Sequence, residues 1–214
     1  SRHQTRFHTI AQPAACRFFR LTFQPNAGIP HFQVAEIALD GVTTGKRAPK
    51  DYSRSLDLAT ATAAVTYLKD GVRFERIHFV SAPDNVFVSR MNADKPGMLS
   101  LTVSLDRPQR FATSAVNDRE LLMTGTLNDG RGGKGVTYAG RLRVSTKGGS
   151  VKADGNKLVI ERADEVTILL AAATDFRGFA GRQLTDPIGT TTADLDKAEK
   201  KPFACLQAAQ QTDH

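Results

Sequence analysis

The chain has 214 residues, with 29 Lys or Arg against 22 Asp or Glu, and a formal net charge of +7. This length suits one large domain, or one domain and a fragment of another, and no apolar run is long enough for a transmembrane helix, so we expect no membrane partner. The charges alternate in sign, as at Arg73, Glu75 and Arg76, or are spaced like Arg141 and Arg143. That spacing predicts the solvated face of strands rather than a surface for nucleic acid, and we expect no nucleic-acid partner.

The first 41 residues contain two predicted strands, 15–23 and 32–39, joined by the Pro- and Gly-containing loop QPNAGIPH. The pair resembles the closing strands of a discoidin-like sugar-binding module. The residues that carry this resemblance are Arg20, Leu21, Thr22, Ala35, Glu36, Ile37 and Gly41. Residues 41–51, GVTTGKRAPKD, have the composition of a linker.

From Tyr52 onward, short runs rich in Val, Ile, Phe and Thr are separated by turn residues. Asp70-Gly71 between two such runs is a strong hairpin signal. The density of strands and turns predicts an all-β fold, a large antiparallel β-sandwich over 52–186. The predicted strands are 52–58, 62–68, 72–80, 86–93, 98–105, 119–127, 136–144, 158–160 and 166–172, with a further short strand between Gly149 and Asp154.

The pattern becomes helical after Asp186, which predicts a short C-terminal helical tail over 187–214. Thr192 is the predicted N-terminal cap, and Pro202 should separate a first helix from a second one that runs toward His214.

A strand-like run ends at a Thr-Asp-Phe-Arg-Gly-Phe corner within LLAAATDFRGF, residues 169–179. Together with the preceding segments SRSLDLATATAAVTY and GVRFERIHFVSAPDNVFVSRMNADKPGMLSLTVSLDRP, this corner resembles the N-terminal β-sandwich of glycoside hydrolase family 95, the α-L-fucosidases. The resemblance covers 52–214. It implies a supersandwich-like domain, with 187–214 as the start of a helical linker into a C-terminal catalytic barrel that these residues do not include.

The same resemblance implies that the parent enzyme hydrolyses terminal α-linked fucose, or a related sugar, from a glycan with inversion. It also implies an extracellular or periplasmic location. At the corner, the resemblance places Thr174, Asp175, Phe176, Arg177, Gly178 and Phe179 at the edge of the catalytic cleft or at a domain interface. This chain has Arg177 where the family pattern has Asn, which would alter a polar contact there. A capping role for Phe176 and Phe179 on the sandwich is the simpler alternative.

Glycosidases use two carboxyl groups, so the acidic residues near predicted strand ends are the candidates for catalysis. No spacing in the sequence sets two of them across a cleft, and none matches the family's catalytic motifs, so we expect no catalytic residue in this chain. The candidates are Asp57, Glu75, Asp84, Asp164, Glu165 and Asp175.

Other chemistry-bearing patterns lead to structural interpretations. The Gly130–Gly135 stretch lacks the Lys-Ser/Thr of a phosphate loop and predicts a flexible hairpin. His78 is predicted on the polar face of a strand, and the histidines lack metal-ligand spacing, so no metal or cofactor is expected. Cys16 and Cys205 could form a disulfide or remain as two buried thiols.

Two further expectations concern packing. Eight apolar residues in predicted strands should lie mostly in the core: Val65, Phe74, Phe79, Val86, Leu101, Val103, Leu169 and Leu170. Four others should form an exposed apolar patch for a partner domain, namely Phe176, Phe179, Phe203 and Leu206. The competing function is a secreted carbohydrate-binding or structural module without catalysis, which the absence of Trp disfavours.

Overall fold

A computed structural model describes residues 50–176, 182 and 184–214 of the chain. These residues form an all-β fold with two C-terminal helices. The strands are β1 (Lys50–Asp57), β2 (Thr62–Lys69), β3 (Val72–Ser81), β4 (Val86–Ala93), β5 (Leu99–Ser104), β6 (Ala112–Asn117), β7 (Glu120–Asn128), β8 (Lys134–Lys147), β9 (Ser150–Asp154), β10 (Lys157–Ala163) and β11 (Glu165–Thr174), and the helices are α1 (Pro187–Glu199) and α2 (Phe203–Asp213).

The strands form two antiparallel sheets. The large sheet has the order β1-β2-β3-β4-β11-β8-β7-β6, and the small sheet has the order β5-β10-β9. Neighbouring strands are joined mostly by short turns, and β11 is inserted between β4 and β8. The predicted antiparallel sandwich is therefore confirmed.

The first core lies between the two sheets. In β11, Val166 and Ile168 contact this core, and Leu142 and Val144 of β8 join them. The small sheet contributes Leu158 and other apolar residues of β10. Alternate side chains of a strand point to opposite faces, so this core takes only one face of the large sheet.

The two helices cover the other face of the large sheet. Leu169 and Ala171 of β11 pack there with Leu195 of α1 and Leu206 of α2. The segment predicted to begin a linker therefore buries its own apolar side chains on the sandwich. The domain boundaries predicted at 41, 52 and 187 stay predictions, since the first 49 residues lie outside the described part of the chain.

Local signals explain where the helices begin and end. The carboxylate of Asp186 accepts a hydrogen bond from the Gly189 backbone N–H at 2.9 Å, and Pro187 occupies the first turn. An Asp cap followed by Pro is a favourable helix start, so the prediction that Thr192 caps the helix is wrong. Pro202 separates the two helices as predicted, because it lacks the N–H that a continuous helix needs.

The predicted core is confirmed in part. Phe79, Val86 and Leu169 are buried. Val65 is only half-buried in β2. The remaining four are partly buried and pack against the first core: Phe74, Leu101, Val103 and Leu170.

Candidate functional site

The corner that follows β11 is held by the backbone of β8. The Asp175 N–H donates to the Thr137 carbonyl at 3.0 Å, and an Asp175 carboxylate oxygen accepts from the Thr137 N–H at 2.8 Å. The Asp175 carboxylate thus accepts the hydrogen bond that a backbone carbonyl would accept if the pairing of β8 and β11 continued. One oxygen of the Asp175 carboxylate is therefore held by the backbone of β8.

Phe176 projects outward from this corner, with 61% of the residue exposed. Its backbone N–H donates to the Thr174 hydroxyl oxygen at 3.4 Å. Arg177, Gly178 and Phe179 lie outside the described residues. A role of the six corner residues in a cleft or a domain interface therefore remains a prediction.

Tyr138 supports the corner from the neighbouring strand, where it pairs with Thr174. Its hydroxyl donates to the Arg110 carbonyl at 2.7 Å, and the Arg107 guanidinium lies 4.7 Å from the centre of its ring. The ring passes directly over Gly125, where a Cβ atom would collide with both the ring and the Arg110 carbonyl. Position 125 thus requires glycine, because the Tyr138 ring and the Arg110 carbonyl lie too close for a side chain. The residues that support the corner are therefore tightly packed.

The apolar patch predicted around the corner and the tail is only partly present. Phe176 is exposed, but Leu206 is buried and Phe203 packs against the second core. Phe203 also lies edge-on to Phe79, with ring centres 5.5 Å apart, and under the guanidinium of Arg90. The prediction of exposure is wrong for Phe203 and Leu206, because the helices fold back onto the sheet.

Three of the carboxylates considered for catalysis serve separate structural contacts. Asp57 accepts from the Ala59 N–H at 2.9 Å, and Asp164 accepts from the Gly97 N–H at 2.6 Å. Glu165 pairs with Lys147 at 2.9 Å. The described contacts therefore give each of these groups a partner of its own, and they do not assemble an acid and a base around one space.

Asp84 is the most deeply buried of the candidates. Lys201, which follows α1, donates to it at 2.5 Å, and the Ser81 hydroxyl donates at 2.9 Å. Burial would raise the pKa of Asp84, but these two hydrogen bonds together with the positive charges of Lys201 and Lys197 outweigh burial and leave its pKa below the ordinary value. Asp84 is an anion that ties the β3–β4 turn to the helices, and it is unsuited to act as a proton donor.

A buried charged cluster, made of Glu120, Arg141 and Arg143, was not expected from the sequence. One Glu120 oxygen accepts from Arg141 Nη1 at 2.5 Å, and the other accepts from Arg143 Nε at 2.6 Å. All three residues are buried. The prediction that the two arginines lie on a solvated face is wrong, because α1 covers that face of β8.

The cluster extends into α1. Arg143 Nη1 lies 2.9 Å from Asp196 and 2.7 Å from Glu199, and Arg119 also pairs with Glu199. Burial would lower the pKa of Arg143 and raise that of Glu199, yet the pairing outweighs burial in both, so the pKa of Arg143 is raised and that of Glu199 is lowered. The sequence feature that could have indicated this cluster is the pair of arginines two residues apart in β8, together with the acidic residues of the later helix α1.

The histidine and cysteine predictions are resolved only in part. His78 is half-buried and stacks on Phe87, with ring centres 6.1 Å apart, and burial, followed by the charge of Arg76, lowers its pKa. Cys205 is exposed on α2, so the alternative of two buried thiols is wrong for this residue. Cys16 lies outside the described residues, and a disulfide between the two stays a prediction. Within residues 50–176, 182 and 184–214, no group of three or more metal-ligating side chains comes together.

The Gly-rich stretch joins β7 to β8 as a hairpin, as predicted. One Asp129 carboxylate oxygen accepts from the N–H groups of Arg131 and Gly133, both at 2.8 Å. These hydrogen bonds lower the pKa of Asp129 and organise the loop. Neither helix in the described part of the chain is long and apolar enough to cross a bilayer.

A family model described as the glycosyl hydrolase family 65 N-terminal domain matches residues 12–179. The chain belongs to this domain family. The match ends before α1, so the two C-terminal helices lie outside the matched residues. It also includes residues 12–41 and gives no support to a separate discoidin-like module there.

Two curated relatives are α-fucosidases by name. Alpha-L-fucosidase 2 of Arabidopsis thaliana is 35% identical over 153 residues, which is 62% of this chain and 18% of that protein. Probable alpha-fucosidase A of Aspergillus oryzae is 27% identical over 154 residues, 70% of this chain and 20% of that protein. The chain thus spans about a fifth of the length of these relatives.

A solved structure from the human microbiome, assigned as a kojibiose phosphorylase, has a similar fold. It matches with a TM-score of 0.52 and 14% identity, over 77% of this chain and 24% of that one. At this identity the likeness concerns the fold alone. The family match and the curated relatives confirm the prediction of a glycoside hydrolase N-terminal domain.

Proposed function

We propose that the chain is the non-catalytic N-terminal domain of a glycoside hydrolase of the α-L-fucosidase type, family 95. The observation that carries this proposal is the 35% identity to Alpha-L-fucosidase 2 of Arabidopsis thaliana. The match to a domain that is itself described as N-terminal supports the same view. The catalytic domain would then be encoded in the part of the parent protein that this chain does not include.

The state of the carboxylates supports a non-catalytic role. Inverting and retaining glycosidases both need one carboxylic acid with a raised pKa to protonate the leaving group. Asp84 and Glu199 have lowered pKa values instead, because each is held by a cationic partner. Both groups are held as anions, so neither Asp84 nor Glu199 is suited to deliver that proton.

In this proposal the sandwich buttresses a C-terminal barrel, and the parent enzyme releases terminal α-linked fucose, or a related sugar, with inversion. Thr174, Asp175 and Phe176, with the three residues that follow, would lie at the edge of the cleft or at the interface with the barrel. The exposed ring of Phe176 on a rigid base is suited to such a contact. An extracellular or periplasmic location agrees with a glycan substrate.

The test compares the 214-residue chain with the parent protein expressed from its full reading frame. We expect the chain to release no fucose from 2′-fucosyllactose, whereas the parent releases fucose, first as the β-anomer in a proton NMR time course. Release by the chain that disappears when one of its own carboxylates is replaced would contradict the proposal. A parent without a further folded domain would favour a carbohydrate-binding or structural module.

A further inference from the structure

Helix α1 brings little apolar surface to the sheet that it covers. Of its thirteen residues, all within the described part of the chain, three are apolar and buried, namely Pro187, Leu195 and Ala198. Leu195 and Ala198 lie one turn apart and join the second core. Their burial is favourable wherever an apolar surface receives them, because the hydrophobic effect is not directional. These side chains hold the helix on the sheet, but they define its rotation and its position along the sheet only weakly.

The buried charged cluster beneath α1 supplies directional contacts instead. Arg143 of β8 donates from Nε to one Glu120 oxygen at 2.6 Å, so a residue of the sheet orients the guanidinium plane. Arg143 Nη1 donates to both Asp196 and Glu199 of α1, at 2.9 and 2.7 Å. Arg141 donates to the other oxygen of Glu120 and keeps that carboxylate in place. A single buried guanidinium therefore contacts two positions on the helix.

These contacts are compatible with one placement of α1. Asp196 and Glu199 lie three residues apart, and both must face β8 at hydrogen-bonding distance. Sliding the helix by one turn would move each carboxylate by about 5.4 Å, and advancing it by one residue would rotate it by about 100°. Either change breaks both hydrogen bonds, since such a bond is lost beyond about 3.5 Å and weakens steeply with angle. Burial of Leu195 and Ala198 distinguishes these placements far less sharply.

Together with the groups that it contacts, the cluster is balanced in charge, with three guanidinium groups facing three carboxylates. The six residues are Arg119, Arg141, Arg143, Glu120, Asp196 and Glu199. A buried network of this kind loses hydration energy on folding and adds little net stability over an apolar replacement of similar volume. The best-attested benefit of such networks is that they select one register among alternatives.

We propose that the buried charged cluster is a register device for the helical tail, which selects the position and the rotation of α1 on the large sheet. The ion pair of Lys201 with the buried Asp84 fixes the end of the helix at the β3–β4 turn. This role needs only the 214-residue chain and is independent of the proposed function. Removing the charges while filling their volume should leave a folded chain in which α1 has several placements.

Amide and methyl NMR of the 214-residue chain tests this role. The wild type should give one resonance for each α1 amide, with nuclear Overhauser effects from the Leu195 methyl groups to the second core. In the combined variant Glu120→Leu, Arg141→Met and Arg143→Leu, urea unfolding should remain cooperative. The α1 amides of this variant should split or broaden through exchange on the microsecond-to-millisecond timescale, and the Leu195 effects should be lost. The amides of β5 and β10, in the small sheet, should be unchanged.

A second variant keeps the buried arginines paired with Glu120 and removes only the carboxylates of the helix. Asp196→Asn with Glu199→Gln should broaden the α1 amides in the same way. The matched control is Glu165→Gln, which breaks the pair with the exposed Lys147 on the same sheet and should leave α1 unchanged. A single set of α1 resonances with the wild-type Overhauser effects, in either folded variant, would overturn the register device. Unfolding of both variants would overturn it too, because the cluster would then be needed for the fold itself.

Discussion

Two regions of the large sheet present apolar side chains, yet only one of them is covered within the described residues. On β3, β4 and β11, Phe79, Val88 and Leu169 are buried beneath α1 and α2. In β1 and the turn that follows it, Leu56 and Leu58 are mostly exposed. The difference shows that apolar strand residues do not by themselves specify burial, which requires a second element fixed above them.

Ion pairs fix the helices above the first region. Arg143 contacts Asp196 and Glu199 of α1, and Lys201 reaches Asp84 of the β3–β4 turn. Each pair joins a residue of the sheet, or of a turn between its strands, to a residue in or beside a helix. The apolar contacts provide most of the stabilisation, while the charged contacts select where the helices lie.

The largest effect should follow from breaking the buried cluster. Replacing Glu120 with Ala leaves Arg141 and Arg143 without their buried carboxylate, and we expect a loss of about 3–5 kcal/mol in the free energy of unfolding. Urea unfolding followed by circular dichroism measures this loss. If the combined change Glu120→Leu, Arg141→Met and Arg143→Leu is as damaging as the single change, the loss does not come from uncompensated charge.

The second prediction compares the two regions directly. Leu206→Ala opens a cavity under α2, and we expect it to cost about 2–5 kcal/mol. Leu56→Ala, the same substitution in β1, should change stability by less than about 0.5 kcal/mol in the 214-residue chain. Thermal and urea unfolding of the two variants give the comparison, and equal losses would mean that Leu56 is part of a core.

The smallest effect concerns Glu199 and acid. Its folded-state pKa lies below the ordinary value of 4.5, so its pairing stabilises the fold fully above that pH and is lost as the pH falls through the folded-state pKa. We expect Glu199→Gln to reduce stability by about 1 kcal/mol at neutral pH, since the group is partly exposed. The difference in the free energy of unfolding between the wild type and this variant should vanish once the pH falls below the folded-state pKa of Glu199. Urea unfolding at neutral and at acid pH measures this difference. A difference that is independent of pH would contradict the ion-pair explanation.

Most strands of the large sheet could be predicted from the sequence. The run from Val86 to Ala93 was placed at its observed bounds, and Asp70-Gly71 forms the expected turn, with both residues at positive φ. The strand Ala112–Asn117 was not predicted, because its small and polar residues give little alternation. It is an edge strand that pairs with β7 and buries little of its own surface.

The candidate corner was located from a sequence resemblance, but the structure explains only part of it. Asp175 contacts the Thr137 backbone, and the predicted role of the corner in a cleft or a domain interface stays a prediction. The arginines of β8 were assigned to the wrong environment. Strand periodicity divides residues between two faces, and it does not show which face a distant helix will cover.

The sequence by itself determined the all-β class and the breaks at the turns and at Pro202, because these depend on local backbone preferences. It also determined the relation to glycoside hydrolases, because the residues that carry the resemblance are visible in the sequence. Only the tertiary structure decided that the helical tail packs on the sheet and that Arg141 and Arg143 are buried. It also decided that Leu56 and Leu58 remain exposed. Burial depends on contacts between residues far apart in sequence, such as Glu120 with Arg143 and Asp84 with Lys201, which no local pattern specifies.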